Sequence, residues 1–94
     1  MSLEQVRAEI AKVDADLIRL IARRQELAKK VAVIKIRDGI AIHDSTQSQK
    51  VLASFFDKAV ESKIDPVAVQ KIFEILIAMS EERQRECSGD GNLP

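Results

Sequence analysis

Residues 3–36 read LEQVRAEIAKVDADLIRLIARRQELAKKVAVIKI, and this stretch decides the fold of the chain. Its large apolar side chains recur at alternating steps of three and four residues, which is the spacing of one face of an α-helix. The pattern predicts one helix of about nine turns, with Ser2 as its N-cap and Gly39 just beyond its C-terminus. The residues of this apolar stripe are Leu3, Val6, Ile10, Val13, Leu17, Leu20, Leu27, Val31 and Ile34.

Arg24 interrupts the stripe at a position where the pattern requires an apolar residue. A guanidinium group keeps its proton, and its desolvation is costly unless an anion meets it. Two explanations stay open. The anion is either a carboxylate of the protein, such as Glu26 or Asp14 of a neighbouring chain, or a bound acidic ligand.

The composition excludes several classes of partner. The chain has 94 residues, and 15 Lys and Arg residues balance 15 Asp and Glu residues, whereas nucleic acids and anionic membranes select basic faces. No apolar run approaches the roughly 20 residues of a membrane span, and the N-terminus does not have the pattern of a signal peptide. Since Cys87 is the one cysteine and His43 the one histidine, we predict a cytoplasmic protein without a metal site.

Two further helices are predicted after the first, over about 45–62 and about 66–86. We therefore predict an all-α domain over residues 1–87 and a disordered tail over 88–94. A first helix of about 50 Å is too long for a compact monomer of this size, so a second copy is expected to lie along it. The N-terminal signals of the two later helices are Asp44 with Gln47 and Asp65 with Pro66.

Polar and charged residues also occupy positions where the core is expected. The third helix carries Ser80 and Gln84 on the continuation of its apolar stripe. On the first helix, Arg24 and Lys35 fall within ~20° of the same face and lie ~16 Å apart along the axis. Their long side chains could clasp a small dianion between them. Arg7 lies ~25 Å from Arg24 along the axis, beyond reach within one chain.

If the first helices of two chains pair antiparallel, Arg7 of one chain comes close to the site of the other chain. If the pair is centred near residues 18–19, Arg7 of one chain lies opposite residues near 30 of the other, between Arg24 and Lys35. A twofold dimer then contains two equal pockets, each with three cations and with Ser80 and Gln84 as neutral donors. We therefore predict an antiparallel homodimer with sites shared between its chains.

A set of residues from Arg7 to Gln84 indicates a protein family, because their types match the family in the same order and at the same spacing. The set consists of Arg7, Ile10, Asp14, Leu20-Ile-Ala-Arg-Arg-Gln-Glu-Leu-Ala28, Val31, Lys35, Asp44, Asp65, Ile72, Phe73, Ile77, Ser80 and Gln84. It resembles the all-helical, AroQ-type chorismate mutases over nearly the whole chain. The resemblance implies an intertwined homodimer that converts chorismate to prephenate, in phenylalanine and tyrosine biosynthesis, without a cofactor or covalent intermediate. Because this rearrangement transfers no proton, it requires no His, Cys or carboxylate pair.

The resemblance also implies a role for each polar residue. Arg24, and Arg7 from the other subunit, would grip the two carboxylates of chorismate through the paired N–H groups of their guanidinium planes. Lys35 would contact a carboxylate and the ether oxygen. Gln84 would donate to the same oxygen, and Ser80 would bond a carboxylate.

The start of the second helix departs from the family pattern. The family has Asp-x-x-Arg-Glu, whose Glu holds the ring hydroxyl of the substrate, where this chain has Asp44-Ser-Thr-Gln47-Ser48. Asp44 and Ser48 are the predicted substrate-binding residues here, and Ser48 could bond the hydroxyl directly or through water. This departure leaves open a related activity, isochorismate-pyruvate lyase, although that family tends to have an apolar residue at the position of Ser80. A non-catalytic helical dimer with a regulatory or scaffolding role is the third alternative.

Overall fold

The computed structural model describes residues 1–88 and contains three α-helices: α1 (Leu3–Asp38), α2 (Ser45–Glu61) and α3 (Pro66–Ser88). Within these residues there is no β-strand, so the predicted all-α fold with a very long first helix is confirmed. The third helix continues two residues beyond its predicted end, because Ser88 is still helical and its Oγ donates to the carbonyl of Arg85 at 2.9 Å. The rest of the predicted disordered tail lies outside the described residues.

Local hydrogen bonds set the ends of α1 where the sequence predicts them. At the N-terminus, the Ser2 Oγ accepts from the backbone N–H of Gln5, and the Gln5 side chain accepts from the backbone N–H of Ser2. This reciprocal capping box satisfies two amides that have no partner within the helix. At the C-terminus, Gly39 adopts a left-handed conformation with φ +66°, and the Ile40 N–H closes the helix on the carbonyl of Lys35 at 2.8 Å.

Aspartate side chains begin the other two helices. The Asp44 carboxylate accepts from the Gln47 N–H at 3.1 Å, which caps α2. The Asp65 carboxylate accepts from the N–H groups of Val67 and Ala68, which caps α3 directly before Pro66. Both helices begin where the sequence predicts. The short acidic side chains accept hydrogen bonds from backbone amides that have no partner within the first turn of a helix.

α3 packs against both of the other helices. Its contact face on α1 includes Ala28 and Ala32, which are almost completely buried; small side chains of this kind allow two helix backbones to approach closely. Between α2 and α3, the rings of Phe55 and Phe73 stack with their centroids 3.6 Å apart, close to the buried Ala59. The close contacts of the fold therefore form around alanines and one aromatic pair.

The N-terminal half of α1 has no such cover. All six apolar residues of its stripe are exposed, and the longest dimension of the chain is 54 Å. The accessible surface is 7162 Å², whereas a folded monomer of 10.5 kDa exposes about 5,400 Å². The uncovered residues are Leu3, Val6, Ile10, Val13, Leu17 and Leu20. A single copy of this chain thus leaves a continuous apolar surface open to water.

The turn between α2 and α3 predicts a stabilising substitution. Lys63 adopts φ +59°, a left-handed conformation that strains a side-chain-bearing residue and suits glycine. We expect Lys63→Gly to raise the free energy of unfolding by about 0.5–1 kcal/mol, measured by urea denaturation at fixed protein concentration. Gly39→Ala is the matched opposite, since Gly39 has φ +66° and open space around an added Cβ. It should lower the stability by a similar amount, and a shift of both variants in the same direction would contradict this explanation.

Candidate active site

A cavity of about 230 Å³ lies between the C-terminal half of α1, the loop after it, the start of α2 and the end of α3. This volume is just below the ~300 Å³ at which pockets for drug-sized ligands begin, so it suits a compact metabolite. The cavity is lined by Arg24, Val31, Lys35, Ile42, Asp44, Gln47, Ser48, Val51, Ile77, Ser80, Glu81 and Gln84. Six of the seven predicted site residues are among them.

Arg24 is half-buried at the cavity wall. One of its terminal nitrogens donates to the backbone carbonyl of Leu76 on α3 at 3.2 Å. Within residues 1–88 of this chain no carboxylate pairs with it, and Glu26 instead pairs with Lys29 at 3.2 Å. A guanidinium has five N–H donors, so Arg24 keeps most of its donors for an anion in the cavity.

Lys35 connects α1 to the loop that follows it. Its ammonium group donates to the backbone carbonyl of Ile42 at 2.6 Å. This bond ties the loop to α1, and the Ile42 side chain lies at the edge of the cavity. An ammonium has three donors, so Lys35 can bind the loop and a ligand at the same time.

Ser80 and Gln84 form a polar pair one helical turn apart on α3. Gln84 is only 5% exposed, and its Nε2 donates to the Ser80 Oγ at 3.1 Å. The other end of the amide, Oε1, is buried and has no hydrogen-bond partner among the described residues. Because an unpaired buried polar atom is costly, this amide has a reason to turn over, so that Oε1 accepts from the Ser80 hydroxyl.

The start of α2 closes one side of the cavity. Ser48 is half-buried there, while Asp44 and Gln47 are more exposed, and all three line the space. The Asp44 carboxylate is already engaged as the cap of α2. This end of the cavity therefore offers polar side chains, of which Asp44 and Ser48 are short.

Glu81 is a cavity residue that the sequence analysis did not single out. Its Oε1 lies 2.8 Å from the Nδ1 of His43. This contact connects α3 to the loop before α2. The sequence feature that could have identified Glu81 is its position four residues after Ile77 and three before Gln84, which places it on the same face of α3. Charged residues near a helix end usually face solvent, so the pattern alone did not distinguish it.

Arg7 is the predicted site residue that the single chain does not bring to the cavity. It is exposed on the N-terminal half of α1, and the helix rise separates it from Arg24 by ~25 Å. Its predicted role therefore depends on a second chain.

The described part of the chain contains neither a metal site nor a membrane-spanning helix. Over residues 1–88, no three His, Cys, Asp or Glu side chains are grouped so that they could hold a metal ion. None of the three helices combines the length and the hydropathy needed to cross a membrane.

The fold and the cavity define an all-α protein with a polar ligand site that contains two cationic side chains, and comparisons with known proteins give its family. The sequence model of chorismate mutase type II matches residues 6–85. A chorismate mutase of Methanocaldococcus jannaschii is 33% identical over 84 residues, which cover 89% of this chain and 85% of that protein. No solved structure matches the chain significantly. The chain belongs to the chorismate mutase type II family, and its enzymatic class is that of an isomerase.

Proposed function

We propose that this chain rearranges chorismate to prephenate in two equal sites of a homodimer, each completed by Arg7 of the partner subunit. One observation supports this above the others: six of the predicted site residues, spread along the sequence from position 24 to position 84, line a single cavity. They are Arg24, Lys35, Asp44, Ser48, Ser80 and Gln84. We place the reaction in the cytoplasm, as a step of phenylalanine and tyrosine biosynthesis.

The uncovered stripe on α1 supports the dimer. Its six apolar residues from Leu3 to Leu20 are all exposed, and burial of such a surface is the dominant favourable contribution to most protein associations. An antiparallel partner helix would cover the stripe between Leu3 and Leu20. The same packing would bring Arg7 of the partner subunit beside the cavity, opposite residues near 30.

Chorismate presents two carboxylates, which match the cations of the proposed site. Arg24 would bind one carboxylate and Arg7 of the partner subunit the other, because a planar guanidinium can make two parallel bonds to a carboxylate. Ser80 would add a neutral hydrogen bond. These contacts would hold the substrate in the folded shape in which the carbon atoms that form the new bond approach each other.

In the transition state, the C–O bond of the ether breaks as the new C–C bond forms, and negative charge grows on the ether oxygen. Lys35 would stabilise this charge from the α1 side. Gln84 would donate from α3, with its amide turned so that Oε1 accepts from the Ser80 hydroxyl and Nε2 points to the oxygen. Such donors accelerate the reaction because they are in place before the charge develops.

The apolar residues of the cavity have a supporting role. Val31 on α1, Val51 on α2 and Ile77 on α3 come from all three helices. They would surround the carbon skeleton of the substrate and exclude water from the reacting atoms. With less water present, the electrostatic contacts of the cations are stronger.

The decisive test uses purified protein, expressed in a host that lacks its own chorismate mutase. We expect chorismate to be consumed and a product of the same mass to form, identified as prephenate by NMR. Isochorismate, supplied in a parallel reaction, should give no pyruvate, since pyruvate release would indicate the lyase. Light scattering should give the mass of two chains. An inert protein, or a monomer with full activity, would contradict the proposal.

A further inference from the structure

Glu81 is a carboxylate on the cavity wall for which the proposed mechanism has no use. It follows Ser80 on α3, and its side chain is 17% exposed. A carboxylate at this position is unexpected if the ligand is a dianion, because like charges repel most strongly where water is scarce. Its presence therefore calls for a group in the cavity that a carboxylate would attract.

The surroundings of Glu81 fix its orientation. Its Oε1 lies 2.8 Å from the Nδ1 of His43, and its Oε2 lies 3.9 Å from a guanidinium nitrogen of Arg85. A carboxylate has about four acceptor sites, so these contacts leave room for a further donor. Asp44, the other acidic residue of the cavity, is exposed and already caps α2.

Chorismate contains one neutral hydrogen-bond donor, its ring hydroxyl. The two carboxylates and the ether oxygen are acceptors, and a carboxylate of the protein would repel them. Ser48 also lines the cavity, but a hydroxyl both donates and accepts, and so does not select a donor. Glu81 can only accept, and it therefore selects the hydroxyl end of the substrate.

We infer that Glu81 is a specificity-determining residue, whose carboxylate is held by His43 and accepts the hydrogen bond of the ring hydroxyl of chorismate. This inference rests on the proposed function and deepens it. Glu81 thus supplies from α3 a contact that the short side chains at the start of α2 make only weakly. It also orients the ring relative to the cations at Arg24 and Lys35.

The test compares kcat/KM for chorismate and for an analogue with hydrogen in place of the ring hydroxyl. Glu81→Val should reduce kcat/KM about 10- to 100-fold with chorismate but less than about 2-fold with the analogue. Glu81→Gln should show an intermediate loss, again with chorismate alone, because its amide oxygen accepts without a charge. The isosteric Gln variant decides the question if the Val variant does not fold.

Glu82 provides the matched control on the same helix. It is 61% exposed, lies 3.6 Å from the same Arg85, and does not line the cavity. Glu82→Val and Glu82→Gln should therefore leave both substrates unaffected. Equal losses for chorismate and the analogue in the Glu81 variants would mean that Glu81 is structural, and a gain with both would mean that it only repels the ligand. Either result overturns the inference, whereas a wild-type protein inactive on chorismate overturns the proposed function itself.

Discussion

Replacing Arg24 by alanine is expected to lower kcat/KM for chorismate by roughly 10²–10³-fold, the typical loss when one preorganised charge contact is removed. The guanidinium is half-buried at the cavity wall, and within residues 1–88 no carboxylate neutralises it. Its removal would leave a carboxylate of the substrate without its main partner. The measurement is steady-state turnover of chorismate, with circular dichroism and light scattering to show that helices and assembly persist.

Arg23 is the control for this substitution. It is the neighbouring residue, has the same side chain, is exposed, and does not line the cavity. Arg23→Ala should retain near wild-type turnover, and Arg24→Lys should fall between the two because it keeps the charge but loses the planar fork. If Arg24→Ala kept activity within about tenfold of wild type, a loss too small for a removed charge contact, the proposed substrate clamp would be wrong.

The helix ends and the shared face of Arg24 and Lys35 could be predicted because both follow from short-range rules. Ser2, Gly39 and Asp44 act at their own helix ends through hydrogen bonds to residues no more than a few positions away. Arg24 and Lys35 share a face of one helix by its period alone. Once α3 packs beside that face, the polar residues of α3 must meet them.

The packing of α3 on α1 could not be predicted in the same way. The hydrophobic pattern points to Leu, Ile and Val as the contact residues of α1, yet the buried residues are Ala28 and Ala32, which are only 2% and 1% exposed. Alanine occurs on any face of a helix, so its pattern does not show where another helix approaches. The contact between His43 and Glu81 joins residues 38 positions apart, and no local rule relates them.

The apolar stripe of α1 explains why the sequence predicts features that a single chain does not complete. α3 packs on the face of α1 that carries Ala28 and Ala32. It does not cover the stripe, because the stripe residues from Leu3 to Leu20 are exposed and Leu27, Val31 and Ile34 remain 39–44% exposed. The stripe and the isolated position of Arg7 are therefore two consequences of one proposed dimer, and they can be tested together.

Two inactive variants, Arg7→Ala and Lys35→Ala, are expected to regain activity when their subunits are mixed. In the mixed dimer, one site takes Lys35 from the first variant and Arg7 from the second, so both cations are intact. The other site lacks both. Random exchange makes half of the dimers mixed, so about a quarter of all sites should become active. The measurement is turnover of chorismate after unfolding and refolding the two variants together, with differently tagged chains to quantify exchange.

A second mixture separates shared sites from sites within one chain. The Arg7→Ala/Lys35→Ala double variant, refolded with an equal amount of wild type, gives mixed dimers in which every shared site lacks one of the two cations. Shared sites predict about a quarter of the wild-type activity per chain, from wild-type dimers alone, whereas sites within single chains predict about half. No recovery in the first mixture, together with half activity in the second, would place Arg7 in the same site as Lys35 of its own chain. The ~25 Å between Arg7 and Arg24 along α1 argues against that outcome, because no side chain spans such a distance.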